Sequence, residues 1–349
     1  MRLGRDRGGF KKMEVLKGTL LLLMVLTAFS VFSYKAPHGM KAMGALASAA
    51  CATFLVEAIQ FSLLGETIGI PFLSQLGSIS GGLGGLAAAT LVMLSLGVSP
   101  VYSMLLGITC SGLGILPGFI AGYLMSFVVK FIEEKVPPGL DLLVVIILMA
   151  PLTRFIGVNL EPVVNSTLLA IGDIIAGSTN SSPIIMGIII GGFFTLISTS
   201  PLSSMALTAM LGLTGVPMAI AALPISATSF ANFILFKKLK FGDTRDTISV
   251  VIEPLTQADI ISANPIPIYV TNFISGALGG IVVSAMGLVN NAPGTAAPSA
   301  GLPVMFAFNP AKEVLICMAI CAVLSTIVGF AASFVFRNHK IVTAAEIRG

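Results

Sequence analysis

Long apolar runs, separated only by short breaks of glycine, proline, serine or lysine, fill almost the whole of this chain. Charged residues make up only 10% of its 349 residues, against about 25% in an ordinary soluble domain. A helix that crosses a bilayer needs roughly 20 predominantly apolar residues, and the runs reach that length repeatedly. The sequence therefore predicts an all-α polytopic integral membrane protein.

The apolar runs predict about ten transmembrane helices. Two stretches between them, 200–215 and 248–264, are too polar or too often broken by proline to be ordinary spans. Because irregular backbone at membrane depth survives only inside protein or beside water, we expect both to form re-entrant hairpins. The predicted spans are 15–34, 40–64, 79–96, 102–131, 140–158, 163–176, 184–197, 216–236, 266–289 and 313–336.

Basic residues cluster at the N-terminus, in one central loop and at the C-terminus. Short cytoplasmic loops carry an excess of lysine and arginine, so this pattern predicts that both termini are cytoplasmic. We expect a cytoplasmic tail at 1–14, a membrane domain at 15–336 and a second cytoplasmic tail at 337–349. The net charge of +4 arises in these flanks and does not indicate a nucleic-acid partner. The clusters are Arg2, Arg5, Arg7, Lys11 and Lys12; Lys237, Lys238, Lys240 and Arg245; and Arg337, Lys340 and Arg348.

The segment IEPLTQADIISANPIPIY, at 252–269, places two carboxylates and three prolines in a chain otherwise suited to lipid. An ionisable residue inside a membrane is costly and usually functional. Pro254 biases Glu253 toward an extended backbone, which leaves peptide groups free to face a ligand. The alternative is that the polar residues cap two half-helices and satisfy each other, although two carboxylates exceed what capping requires. The other polar side chains, which suit the hydroxyls of a polyol, are Thr256, Gln257, Asp259, Ser262 and Asn264.

A second polar cluster, STSPLSSM at 198–205, carries small hydroxylated residues around a proline. Ser200 and Ser203 could line a facing hairpin of the same site. Serine and threonine also commonly join membrane helices by hydrogen bonds, and the sequence leaves both interpretations open.

Four isolated ionisable residues lie within or beside predicted spans. Glu57 is either a second ligand or proton-handling group, or a residue near a membrane edge beside Gln60. Arg154, Glu161 and Asp173 flank two shorter spans, and pairing of Arg154 with Glu161 at an interface is the simpler interpretation.

Glycines recur four residues apart, a spacing that predicts close packing of membrane helices. Two near-identical octapeptides, ISGGLGGL at 79–86 and ISGALGGI at 274–281, indicate either an internal duplication or a coincidence among small residues. The glycine pairs are Gly81 and Gly85, Gly118 and Gly122, Gly187 and Gly191, and Gly276 and Gly280.

The chain offers little for catalysis or metal binding. Its four cysteines fall in apolar segments without CxxC spacing, and its two histidines are far apart in sequence. Neither an HExxH motif nor a nucleophile elbow is present, which disfavours a membrane-embedded enzyme. We expect no metal and no cofactor.

Three long strings resemble the membrane (IIC) subunits of the bacterial phosphoenolpyruvate-dependent sugar phosphotransferase system (PTS). They are similar in particular to the stand-alone IIC-like group that includes the perfringolysin O regulator, and the resemblance covers about 37–337. It implies a IIC-like transport domain at 15–336 and a homodimer in the bacterial cytoplasmic membrane. The strings are APHGMKAMGALASAACATFLVEA, SPLSSMALTAMLGLTGVPMAI and VIEPLTQADIISANPIPIYVTNF.

The resemblance also implies a role for one glutamate. In sugar-transporting IIC proteins, a glutamate in an I-T-E-P type motif within a re-entrant hairpin binds the sugar hydroxyls. The matching string here is Val251-Ile252-Glu253-Pro254, in which Ile252 replaces the family's threonine. The substrate-binding residues that we predict are Glu253, Gln257, Asp259, Asn264, Thr256, Ser200 and Ser203.

The function implied by the resemblance is a permease that binds and translocates a sugar or related polar solute. Any phosphorylation would be supplied by separate IIA and IIB phosphocarrier proteins, so the chain would be at most the membrane subunit of a phosphotransferase. The alternative is a membrane-embedded sensor or regulator that binds a solute without transporting it. Transport is favoured because most signalling roles do not need a solute site among broken helices.

Overall fold

A computed structural model describes residues 3–200 and 204–348 of the chain. These residues form helices joined by turns, with no β-strand among them, and the prediction of an all-α protein is confirmed. The α-helices are α1 (Leu3–Lys35), α2 (Gly39–Ala50), α3 (Pro71–Gly81), α4 (Gly84–Ser95), α5 (Pro100–Thr109), α6 (Ile115–Lys135), α7 (Leu140–Val144), α8 (Ala150–Val164), α9 (Ala170–Ser181), α10 (Pro183–Ile197), α11 (Ser204–Met210), α12 (Gly215–Leu239), α13 (Thr244–Ile252), α14 (Ala258–Ala263), α15 (Pro265–Met286), α16 (Pro298–Met305), α17 (Ala311–Val335) and α18 (Ala344–Arg348).

Seven helical stretches among the described residues are long and apolar enough to cross a membrane. The number rises to eight if α3 and α4, which meet at a bend of 56°, form one broken span. The polytopic membrane architecture is therefore confirmed, while the count of about ten spans stays a prediction. The seven stretches are Met13–Lys35, Gly39–Glu66, Ile115–Lys135, Leu140–Ser181, Gly215–Leu239, Pro265–Met286 and Ala311–Val335.

The predicted span 102–131 is divided into two helices. α5 ends at Thr109 and α6 begins at Ile115. Between them Gly112 takes a left-handed backbone with φ of 75°, a conformation that glycine adopts without the clash of a β-carbon. Pro117 lies in the first turn of α6, where its missing N–H has no helical partner to lose. The break therefore precedes the proline instead of lying at it.

The predicted spans 140–158 and 163–176 belong to one helical stretch, Leu140–Ser181. Two π-helical turns, Val145–Met149 and Asn165–Leu169, carry the helix through this region without ending it. A π-helical turn inserts a residue into an α-helix while keeping its backbone hydrogen-bonded.

Two charged side chains of α8 satisfy the broken backbone between α5 and α6. The guanidinium of Arg154 donates to the carbonyl oxygens of Thr109 at 3.1 Å and Ser111 at 2.7 Å. The carboxylate of Glu161 accepts from the backbone N–H of Gly114 at 3.0 Å. Arg154 and Glu161 thus bind peptide groups of the break, which is how non-helical backbone becomes tolerable in a membrane protein.

The chain divides into two compact units, each with its own apolar core. Unit 1 comprises Met1–Leu26, Ile171–Thr208 and Leu213–Gly349. Unit 2 comprises Thr27–Ala170 and Ala209–Gly212.

Glycines allow close helix–helix contacts in both units, here called helix seams, as the four-residue spacing predicts. In unit 1, a β-carbon on Gly187 would lie 2.7 Å from the carbonyl oxygen of Gly280, so α10 and α15 touch backbone to backbone. In unit 2, a β-carbon on Gly122 would lie 2.7 Å from the Cα of Ala89, which brings α6 equally close to α4. The predicted close packing is confirmed for these two helix pairs.

One apolar cluster of unit 1 underlies the polar segment identified from the sequence. It joins the ends of α12, α15 and α17 to α13, α14 and the C-terminal helix α18. Residues 341–348, here called the C-terminal segment, therefore share a core with the segment 243–264. The cluster comprises Leu235, Phe236, Phe241, Val250, Ile260, Ile261, Ile268, Ala332 and Ala344.

Candidate solute-binding site

The segment 243–264 begins with a reciprocal helix cap. The Asp243 carboxylate accepts from the Asp246 N–H at 2.9 Å, and the Asp246 carboxylate accepts from the Asp243 N–H at 3.0 Å. This capping box satisfies two N–H groups that the first turn of a helix leaves without partners, and it fixes where α13 starts. The Asp246 N–H also holds the pKa of the Asp243 carboxyl below its ordinary value.

Glu253 lies at the point where α13 ends. Its backbone is extended, with φ of −149° and ψ of 99°, because the following Pro254 disfavours a helical conformation at this position. A short 3₁₀ turn, Pro254–Gln257, separates Glu253 from α14. The Glu253 carbonyl accepts from both the N–H and the hydroxyl of Thr256, at 3.0 and 2.7 Å. Glu253 is half-buried, so a carboxylate lies beside irregular backbone, as the sequence predicts.

Arg348 joins the polar side chains of this segment to the C-terminal segment. Its guanidinium donates to both oxygens of the Asp259 carboxylate, at 2.7 and 2.9 Å. It also donates to the Asp246 carboxylate at 2.7 Å and to the side-chain oxygen of Gln257 at 2.9 Å. Arg348 thus fixes the side chains of Asp246, Gln257 and Asp259 relative to one another.

The charges of this cluster stabilise each other's ionised forms. Hydrogen bonding from Arg348 holds the pKa of the Asp259 carboxyl below its ordinary value. The two aspartates, Asp259 foremost, raise the pKa of the Arg348 guanidinium. Asp259 is therefore an ionised, already partnered carboxylate at neutral pH.

Asn264 forms a second connection to the C-terminal segment. Its amide nitrogen donates to the carbonyl of Val342 at 2.8 Å, and its amide oxygen accepts from the N–H of Val342 at 2.9 Å. The same amide nitrogen donates to the carbonyl of Ile260 at 2.9 Å. Since Asn264 is buried, these bonds satisfy an amide that would be costly to leave unpaired.

The serine cluster follows the end of α10 in unit 1. Ser200 is buried beyond the end of α10, where its hydroxyl donates to the carbonyl of Ile197 at 2.9 Å. The neighbouring Thr199 accepts from the side-chain amide of Asn272 on α15 at 3.1 Å. Ser203 lies outside the described residues.

Two buried asparagines were not singled out from the sequence. Neither the nitrogen nor the oxygen of the Asn232 amide, on α12, has a hydrogen-bond partner among the described residues. The amide oxygen of Asn272 is likewise unpartnered there. Buried polar atoms are nearly always hydrogen-bonded, so both amides are candidate contacts for a polar solute or water. The sequence feature that could have identified them is an asparagine in the middle of an apolar run.

Glu57 lies in unit 2, between two π-helical stretches, Cys51–Leu55 and Ala58–Thr67. A β-carbon on Gly81 would collide with its carboxylate, so this glycine makes room for the acid. π-helical turns often occur at functional sites, and Glu57 stays a candidate in its own right.

The long apolar helices define a multi-pass membrane protein, in which Glu253 lies at a helix break. The sequence model of the family "Phosphotransferase system, EIIC" matches residues 40–348. The chain belongs to this family. Its membership supports the assignment of the chain as a membrane sugar permease of the PTS type. No curated protein matches the chain. The match includes both Glu253 and Arg348, while membership of the stand-alone subgroup stays a prediction.

Proposed function

We propose that this chain binds a sugar or related polar solute at Glu253 and translocates it across the bacterial cytoplasmic membrane. The observation that carries the proposal is the half-buried Glu253 on extended backbone between two helices. A carboxylate there can accept hydrogen bonds from solute hydroxyls, and peptide groups outside helical pairing can add further contacts.

The other predicted residues fall into two roles in this proposal. Gln257, Asp259 and Asn264 shape the pocket by fixing the chain around Glu253, because their side chains bind the C-terminal segment. Thr256 is exposed one turn beyond Glu253, and because its hydroxyl donates to the Glu253 carbonyl, it would meet a solute as an acceptor. Ser200 and Ser203 would belong to the facing side of the site.

Translocation would move the unit that carries the site between the two membrane faces, the general alternating-access scheme of transporters with broken helices. Separate IIA and IIB phosphocarriers would supply any phosphoryl group. A homodimer with both termini in the cytoplasm completes the proposal.

The test is uptake of a panel of radiolabelled hexoses and hexitols into proteoliposomes. We expect Glu253→Gln to abolish most of the uptake that the unmodified protein supports, because the neutral amide loses a charged acceptor. Glu134→Gln is the matched control, since it neutralises an exposed carboxylate at the end of α6 in unit 2. Unchanged uptake in the Glu253 variant would remove this residue from the site.

The second candidate function is a solute sensor that transports nothing. The observation that favours it is the direct bonding of the C-terminal segment to the segment that carries Glu253, through Arg348 and Asn264. Solute binding at Glu253 would then alter the C-terminal segment. Solute-dependent hydrogen exchange in residues 341–348 without any uptake would favour the sensor, and uptake that depends on Glu253 would favour the permease.

A further inference from the structure

Two membrane helices of unit 1, α12 and α17, end beside one basic cavity. The cavity has a volume of about 430 Å³, within the range of roughly 300–1,000 Å³ typical of small-ligand sites. Three cations line it, Lys238 and Lys240 at the end of α12 and Arg337 just beyond α17. The two phenylalanines of its wall, Phe330 and Phe334, belong to the last turns of α17.

None of the three cations forms a salt bridge with a carboxylate in the part of the chain that the structure describes. Among the described residues, both salt bridges are made by Arg348. The Lys238 ammonium instead lies 5.8 Å from the centre of the Phe330 ring, and the Arg337 guanidinium lies 4.5 Å from that of Phe334. The cavity therefore carries an uncompensated positive charge that suits an anion.

Lys240 occupies a position that disfavours most side chains. It is the residue after α12 and has a left-handed backbone, with φ of 58°. Glycine usually ends a helix in this conformation because it has no β-carbon. A lysine here adds a third cation to the cavity at a cost in backbone strain, which indicates a use for its side chain.

The wall of the cavity identifies the kind of anion. Phe330 and Phe334 are 51% and 66% exposed on a helix that is long and apolar enough to span the membrane. An anion bound at the cations would thus lie next to an apolar surface that faces lipid. A phospholipid supplies both parts, a phosphate for the cations and acyl chains for the phenylalanines, whereas free phosphate supplies only the first.

We propose that this cavity binds the headgroup of an anionic phospholipid, with its phosphate at Lys238, Lys240 and Arg337 and its acyl chains along α17. Basic pockets at the ends of membrane helices are suited to such headgroups. Cations also complement the negative end of a helix dipole, which accounts for Lys237 and Lys238 in the last turn of α12. The same effect favours Lys240 and Arg337 at the ends of α12 and α17, but a helix dipole does not require these side chains to converge on one cavity.

The chain contains no tryptophan, so Phe330→Trp would place a single fluorescent reporter in the wall of the cavity. The full-length variant would be reconstituted in phosphatidylcholine nanodiscs with increasing fractions of brominated phosphatidylglycerol or brominated phosphatidylcholine. We expect the anionic lipid to quench the reporter at a several-fold lower fraction. Leu315→Trp, at the opposite end of α17, should show no such preference.

Charge variants in the Phe330→Trp background separate a specific site from general surface attraction. We expect Lys238→Gln or Arg337→Gln to lower the preference for the anionic lipid about tenfold, since each variant removes a charged hydrogen-bond donor from the phosphate. Lys237→Gln is the matched control because it removes the same charge one residue away, outside the cavity. An equal effect of Lys237→Gln, equal quenching by both lipids, or loss of the preference on adding inorganic phosphate would each overturn the proposal.

Discussion

Replacement of Arg348 by alanine should release the C-terminal segment from the segment that carries Glu253. The guanidinium makes four hydrogen bonds, two to Asp259 and one each to Asp246 and Gln257. Alanine removes all four donors at once and leaves two carboxylates without their common partner. The Asn264 bonds to Val342 remain in this variant, so the segment should open more often without being lost from the structure.

The size of the effect follows from the exposure of the partners. The side chains of Arg348 and Asp259 are 41% and 38% exposed, and an exposed ion pair contributes about 0–1 kcal/mol. Asp246 is only 11% exposed, and a hydrogen bond to a less exposed charged group contributes about 1.5 kcal/mol. We therefore expect the free energy of opening of the C-terminal segment to fall by about 2 kcal/mol, which corresponds to a roughly 30-fold rise in the opening equilibrium constant.

Hydrogen exchange at two amides measures this opening directly. The Val342 N–H donates to Asn264 at 2.9 Å and the Ala344 N–H donates to the carbonyl of Phe241 at 2.7 Å. We expect exchange at both amides to accelerate roughly 30-fold in Arg348→Ala, and Arg348→Lys to fall between this variant and the unmodified protein. Arg245→Ala, in the first turn of α13, is the control. Unaltered exchange in Arg348→Ala would refute the argument that Arg348 holds the segment.

Three further predictions concern pH, packing and the helix break. The pKa of Asp259 is lowered in the folded protein, so its contribution to the stability of the bound C-terminal segment should be present above about pH 4 and lost as the pH falls through the lowered pKa. The unmodified protein and Asp259→Asn should therefore exchange the Val342 amide hydrogen at the same rate below that pKa, after correction for the intrinsic rate. Gly191→Ala should destabilise the protein by about 1–3 kcal/mol in thermal unfolding, because its β-carbon would collide with the backbone of Gly276, whereas Gly177→Ala has open space. Arg154→Met should lower the free energy of unfolding by about 2 kcal/mol, because it leaves two carbonyls of the α5–α6 break without a donor. Arg154→Lys should retain part of this stability in the same thermal unfolding measurement.

The fold class and the helix seams could be predicted because they depend on local patterns. Apolar length indicates membrane helices, and glycines four residues apart indicate a flat surface on one helix face. The number of continuous spans was harder to predict because a left-handed glycine, such as Gly112, divides an apolar run that hydropathy alone joins. π-helical turns have the opposite effect and carry a helix through residues that suggest a break.

The two octapeptides illustrate the same limit of local patterns. ISGGLGGL includes the bend between α3 and α4, whereas ISGALGGI lies within the continuous helix α15. Their shared glycines nevertheless both form close contacts between helices, since Gly85 contacts Gly118 in unit 2 and Gly280 contacts Gly187 in unit 1. Similar short sequences therefore predict similar packing surfaces more securely than similar helix boundaries.

The candidate site could be predicted only in part. The break at Glu253 follows from its neighbour Pro254 and is visible in the sequence. The partner of Asp259 is 89 residues away in the chain, and no local pattern pairs it with Arg348. From the sequence, Arg348 is only one of several basic residues in a C-terminal tail. In the structure, the buried Asn264 binds Val342 and holds that tail in place.

The contacts of Arg348 separate the two carboxylates of the polar segment by their chemistry. Both oxygens of Asp259 already accept from a guanidinium, so solute hydroxyls that bind there must compete with a charged donor. Such a donor makes stronger hydrogen bonds than a neutral hydroxyl does. Glu253 lies at the end of α13, on backbone that Pro254 keeps out of the helix. We therefore propose that Glu253 contacts the polar solute directly, and that Asp259 holds the surrounding chain in place through Arg348.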